Sequence, residues 1–339
     1  MLITFSAGNS GIDSSTSDGL IDSDSMGAPG TAKNCVTVGA SENYRTDFQY
    51  GYYLRRVRCQ SSPTWGWFNS SNFPNNPINS DLMANNANGM GAFSSRGPTS
   101  DGRFKPDVTA PGIAIFSTRT DLNQAFEEWG YCNLSTTLQQ YYIAMGGTSM
   151  ANPLTAGACV LIRQYYTQGW HANGSNITHT SPVTADSFSP SSALVKATLI
   201  NGAWDMSPGQ YGTGTTREIP PSWDTGHDLP NNAEGYGRVD LEHSLFPGSG
   251  YGDASGRLLE VHDVTPGLQT AESKSYAFTV GSNANPLIGT WVWTDPYGAT
   301  YVGTELVNDL DLLVTAPDGT TNYYPNKLNN TAGTADRKN

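Results

Sequence analysis

Two hydrophobic periods share this chain, and they change over near residue 247. From residue 148 to about 168, apolar residues recur at helical spacing. They do so again from Ser191 or Ser192, a hydroxyl N-cap, through Val195, Leu199 and Ile200 to Gly202. Beyond residue 257 the period falls to two, over 258–264, 275–280, 287–293 and 309–315, each run bounded by Gly, Pro, Asn or Asp. A helical stripe packs on a layered core, whereas alternation belongs to strands with one covered face. The chain therefore reads as an α/β domain over 1–247, a linker over 248–257 rich in Gly and Ser, and an antiparallel β-sandwich, jelly-roll-like, over 258–339.

Short buried strands are expected at 2–6 and 35–40, a strand at 141–145 and a third helix at 239–246. Residues 51–91 form a long insertion rich in Asn, Ser, Trp and Tyr. Its aromatic residues either line an extended cleft or pack on one another, and packing is the expectation. Pro153 is expected in the first turn or so of its helix, where a missing N–H costs little. The first nine residues carry no basic leader and read as a strand running into a turn, and the last nine close on no element. A fragment, shortened at both ends, is expected.

Composition removes several function classes. Lys and Arg number 18 against 30 Asp and Glu, a net charge of −12, which leaves no basic surface for nucleic acid. No apolar run approaches the roughly 18 residues of a membrane span. The 37% apolar and 11% aromatic content is enough to bury a core, so disorder driven by charge is excluded. Cys35, Cys59, Cys132 and Cys159 form no CxxC pair, which argues against a zinc cluster. Cys159 lies in an apolar run and reads as a buried small hydrophobe. A bridge between Cys59 and Cys132 is compatible with the sequence, but spacing alone does not establish it.

The most informative segment is Gly146-Gly147-Thr148-Ser149-Met150-Ala151-Asn152-Pro153. A serine in the first turn of a buried helix sits where backbone N–H groups favour a developing anion, as a nucleophile in acyl transfer requires. The same serine could equally well act only as a helix cap.

Four segments in order resolve that choice through likeness. Ser6-Ala7-Gly8-Asn9-Ser10-Gly11, Gly30 to Gly39, Phe93-Ser94-Ser95-Arg96-Gly97-Pro98 with 105–112, and Gly147 to Ala151 with Pro153 together resemble the subtilisin-like serine proteases, or subtilases, over most of residues 2–246. Segments 234–240 and 306–319 look like alkaline, oxidation-tolerant subtilases of the bacilli that carry a C-terminal β-sandwich. The resemblance implies a subtilisin-like parallel sheet flanked by helices, here only its C-terminal part, and a secreted, monomeric serine endopeptidase acting on proteins and peptides. It makes Ser149 the nucleophile and Asn9 the side-chain donor to the oxyanion. It places Ser6, Ala7, Gly8, Gly147 and Thr148 at the substrate.

One departure is large. The family's catalytic Asp and His precede the oxyanion asparagine, and here His171, His179, His227, His243 and His262 all follow Ser149. The chain by itself is therefore expected to be inactive. The alternative is an inert, subtilase-derived binding module. An α/β-hydrolase reading with Asp224 and His227 fails because Ala151 stands where the elbow's second glycine is needed. Asp309 and Asp311 are two residues apart and share a strand face, and the resembled subgroup binds calcium around this domain, so a structural Ca2+ ion is expected there.

Overall fold

The computed structural model describes residues 1–14, 18–50, 59–120, 132, 134–135, 137–171, 181–213, 216–221, 229–245, 259–280, 287–299 and 302–326. They fall into two compact units. The larger comprises 3–156, 204–239 and 295–339, and the smaller 1–2, 157–203 and 240–294.

In the larger unit, β1 (Thr4–Ser6), β2 (Val36–Ser41) and β5 (Val108–Pro111) form a parallel sheet in the order β1-β2-β5. Strand β2 is buried along its whole length, which is why Val-Thr-Val-Gly-Ala-Ser shows no alternation. Its one threonine inside the run, Thr37, donates its N–H to Asp107 Oδ2 at 2.7 Å and its hydroxyl to the Gly30 carbonyl at 2.5 Å. Asp107 is in turn paired with Lys105 at 2.5 Å, so the buried polar groups are answered locally. Beside the sheet, β6 (Ile115–Thr118) pairs antiparallel with β7 (Tyr142–Met145).

The described part of the insertion, 59–91, packs its aromatic residues together. A short hairpin of β3 (Gln49–Tyr50) and β4 (Gln60–Ser61) leads to α1 (Trp65–Phe68), capped by the Thr64 hydroxyl, which accepts from the Trp67 N–H. Trp65 is fully buried and meets Phe68, Phe73 and Phe93 edge-on, at 5.6–6.1 Å between ring centroids. Cys59 and Cys132 form a disulfide.

The long helix α2 (Thr148–Thr167) begins in the larger unit and ends in the smaller. Pro153 is its sixth residue, two residues past the first turn. Having no N–H, Pro153 cannot bond the Ser149 carbonyl four residues back. In the smaller unit α3 (Ser192–Asn201) packs on α4 (Leu241–Leu245), and the Tyr166 hydroxyl meets Thr198 Oγ1 at 2.9 Å. Cys159 is buried, as the sequence indicated, and burial pushes its thiol up to about 11.

The expected β-sandwich is only weakly present. Among the described residues beyond 258, the paired strands are β8 (Val314–Thr315) and β9 (Asn322–Tyr323). Runs 259–264, 275–280 and 287–293 carry no ladder, and Tyr276, Phe278, Val280, Leu287 and Ile288 are exposed. Alternation marks residues able to form a strand, but a strand persists only with a neighbour and a covered face. The linker 248–257 and the end of the chain, 327–339, lie outside the described residues.

Candidate active site

Asn9 and the start of α2 are brought together although 139 residues separate them in sequence. The Asn9 Oδ1 atom accepts two hydrogen bonds, from the Thr148 N–H and the Thr148 hydroxyl, each at 2.9 Å. Thr148 Oγ1 accepts in turn from the Gly8 N–H at 3.3 Å. Because the carbonyl end of the Asn9 amide is occupied, its NH2 end is the end left to face outward. Ser149, the next residue, is exposed, as is Asn9.

The local sequence explains the arrangement. Gly147 has φ +148°, and a Cβ there would lie 3.3 Å from Asn9 Nδ2. Any side chain at 147 would therefore strain the backbone and press on the amide. Its N–H donates to the Gly112 carbonyl at 2.8 Å, and the Gly112 N–H donates to the Ser41 carbonyl at 2.9 Å, so the loop hangs from the end of β2. Met150 and Ala151 send their N–H groups back to the Gly147 carbonyl. The Ser149 N–H is one of the first-turn donors that a helix cannot satisfy internally.

Behind Asn9, the turn is fixed by segment 93–95. The Gly11 N–H donates to the Phe93 carbonyl at 2.8 Å, the Ser95 N–H to the Gly8 carbonyl at 2.9 Å, and the Ser10 N–H to Ser95 Oγ at 3.1 Å. Ser95 is fully buried. Sequence reading listed Phe93-Ser-Ser as part of a likeness but missed this bracing role, since nothing in the segment itself reveals its partner. Ser6 and Ala7 end β1 and continue it, with Ala7 buried.

The described histidines have other company. His171 is buried against Tyr165 and Tyr166, His243 pairs with Asp240 at 2.8 Å, and His262 pairs with Glu260 and stacks on Tyr276. His179 and His227 lie outside the described residues. Asp309 and Asp311 are both exposed, with Leu310 and Leu312 less so, and none of the four lies in a strand. Among the described residues no three acidic, histidine or cysteine side chains are disposed to hold a metal. Two carboxylates supply only part of the six to eight oxygens calcium takes, and the rest would have to come from backbone carbonyls, Asn308 or water.

An asparagine amide held through its Oδ1 atom thus stands beside an exposed first-turn serine. The subtilase family model matches residues 1–237, and the chain belongs to that family. It is 31% identical over 274 residues to the serine protease/ABC transporter B family protein tagD of Dictyostelium discoideum, covering 74% of this chain and 14% of that one. It is 30% identical over 164 residues to the serine protease AprX of Bacillus subtilis (strain 168), covering 48% and 26%. The chain thus spans about a seventh to a quarter of these relatives. Similar identity to amoebal and bacillus proteins does not single out the bacillus subgroup. The solved structure of fervidolysin from Fervidobacterium pennivorans, a keratinolytic enzyme related to subtilisin, is matched over 73% of this chain and 22% of its own at 20% identity, with a TM-score of 0.34. That score adds nothing to the assignment.

Proposed function

We propose that this chain is the nucleophile-bearing part of a serine endopeptidase. The observation that carries the reading is the clamp of Asn9 Oδ1 by Thr148 at 2.9 Å, immediately before the exposed Ser149. In this reading Ser149 Oγ attacks the scissile carbonyl of a peptide and its proton passes to a histidine. The oxyanion is held by Asn9 Nδ2–H and the Ser149 N–H, and the amine leaves with the proton returned by the histidine. In this reading Ser6, Ala7 and Gly8 form one wall of the pocket for the side chain preceding the scissile bond, and Gly147 and Thr148 complete the substrate-binding set. The base and its aspartate would be supplied by polypeptide other than residues 1–339, so the chain by itself would react slowly.

The Cys59–Cys132 disulfide supports an oxidising, extracellular location. Among the described residues no helix is long and apolar enough to cross a membrane. The kinship with bacillus enzymes carrying a C-terminal β-sandwich, the monomeric state and the calcium at Asp309 and Asp311 rest on sequence pattern alone.

A fluorophosphonate probe tests the nucleophile. In a longer form of the protein that includes the histidine and aspartate, Ser149 should label and Ser149→Ala should not, while the 339-residue chain should label only faintly. Labelling that survives Ser149→Ala would overturn the assignment of Ser149 as nucleophile, and a longer form that does not label at all would favour the inert module.

A further inference from the structure

A second polar constellation in the larger unit takes no part in the proposed chemistry. Glu42 follows β2 directly and is fully buried, and Glu218 is 6% exposed. The Trp65 indole N–H donates to Glu42 Oε1 at 3.1 Å, and the Gln210 side-chain amide to Asp81 Oδ2 at 2.8 Å. Glu218 accepts backbone N–H groups from Met90 and Gln210, both at 2.7 Å. Gly89 borders the cluster: its carbonyl accepts the Glu42 N–H at 2.7 Å, and a Cβ on it would lie 2.6 Å from Gln210 Nε2, so the Gln210 side chain would have to shift. Glu42 Oε2 is buried with no hydrogen-bond partner.

Among the described residues Glu218 is the one of these three carboxyls on which a buried cation acts. That cation is Arg96, 4% exposed, which acts on Glu218 and also on Tyr211 and Glu234, and its Nη1 has no partner. The half-buried Tyr211 phenol faces the same three carboxyls, and Glu234, on which Arg96 also acts, is held by Met206, Ser207 and Asn231. Buried like charges that lie this close cannot all ionise unless each is matched by an opposite charge. Burial first, then Asp81 and Glu218, pushes Glu42 well above the carboxylate range. Burial and then Glu218 pushes Asp81 up to about 8, and burial pushes Glu218 up to about 7.

Two routes join this cluster to the Asn9 turn. Glu218 grips Met90, and segment 91–95 continues from there to the bonds that fix Gly8, Ser10 and Gly11. Trp65, hydrogen-bonded to Glu42, also sets its ring against Phe93 at 5.6 Å, and the Phe93 carbonyl accepts the Gly11 N–H.

We propose that Glu42, Asp81 and Glu218, acting with Trp65, are positioning residues for the Asn9 turn: a proton-sharing cluster that holds segment 90–95 in place and loosens it when its protons leave. The step is proton loss to solvent, with no covalent change. Its bearing on catalysis rests on the reading of Asn9 as oxyanion donor, whereas the coupling itself does not.

Amide hydrogen exchange on the full 339-residue chain, corrected for intrinsic rates, tests the coupling without substrate or probe. Protection at Ser10 and Gly11 should fall at least about tenfold between pH 6 and pH 9, the equilibrium factor that one pH unit represents. Glu42→Gln should keep the pH 6 protection across that range, and Asp81→Asn gives the same test should Glu42→Gln fail to fold. Trp65→Phe keeps a ring against Phe93 but removes the donor that favours the Glu42 anion, so the midpoint should move to higher pH. Identical profiles in the wild type and Glu42→Gln would overturn the proposal, as would a loss confined to 81–91 that spares Ser10 and Gly11. An unmoved midpoint in Trp65→Phe would overturn the part given to Trp65. Failure of Ser149 to label would sink the peptidase reading and leave this result standing.

Discussion

The contact that most repays scrutiny is between one hydroxyl and one amide. Thr148 is 1% exposed and spends both its N–H and its O–H on Asn9 Oδ1. It thereby decides which end of the Asn9 amide is left to face outward. Replacing Thr148 by valine keeps shape but removes the hydroxyl bond, leaving the amide on one hydrogen bond and free to rotate. In the longer, active form, Thr148→Val should lower kcat with KM nearly unchanged, and Thr148→Ser should restore much of it. A loss appearing in KM alone would mean that Thr148 holds substrate, not the amide. Asn9→Ala removes the donor itself and should cost about 100-fold in kcat, a magnitude taken from the corresponding asparagine of a relative in this family and not from this chain. Steady-state kinetics on a peptide anilide would read both.

Among the elements, helices were the more legible in sequence. Helix α3 begins and ends where its residues say, because Ser191 caps it, accepting the Leu194 N–H at 3.1 Å, and Gly202 ends it. Ser191→Ala should cost about 1 kcal/mol of stability in urea unfolding of the smaller unit. A change below a few tenths would show that the Ser191 N–H bond to Asp263, 2.7 Å long, fixes the helix start instead. Strands were less legible for a physical reason: their partners are distant. Asp309 to Thr315 alternates between more and less exposed positions, yet only Val314 and Thr315 find a ladder. The candidate site divided the same way. Ser149 and Asn9 carry recognisable neighbours in the chain, so the sequence pointed to them. Glu42, Asp81 and Glu218 are single acids in unrelated segments, and only folding shows that they share a buried space. The one local sign was Glu42 itself, an acid placed directly after six buried strand residues.

For the larger unit as a whole, buried carboxyls set two opposite dependences on pH. Asp295 is 4% exposed, and although burial raises its pKa, the Lys33 ammonium 2.6 Å away and the N–H groups of Val307 and Asn308 outweigh that and hold it below the usual carboxylate range. Lys33 also donates to the Pro296 and Glu305 carbonyls, both at 2.5 Å, and so ties 295–305 to the segment before β2. A depressed pKa gives stability that is present above the unfolded value, about 4, and is lost as pH falls through the folded one. Glu42, Asp81, Glu218 and Glu234 are displaced the other way, Glu234 to about 7 by burial. Their folded forms keep protons that the unfolded chain releases near pH 4, so stability declines from there until pH passes roughly 7 to 8. The unit should therefore be most stable near pH 4 to 5 and lose stability on both sides. Rising self-repulsion in a chain of net charge −12 acts in the same direction at the alkaline end. Substitution separates the two causes. Glu42→Gln should flatten the alkaline arm of melting temperature against pH and leave the acid arm alone, and Asp295→Asn should do the reverse. If Glu42→Gln lowers the melting temperature equally at pH 5 and pH 8, the Glu42 carboxyl is ionised in the folded chain throughout, and the alkaline decline belongs to surface charge.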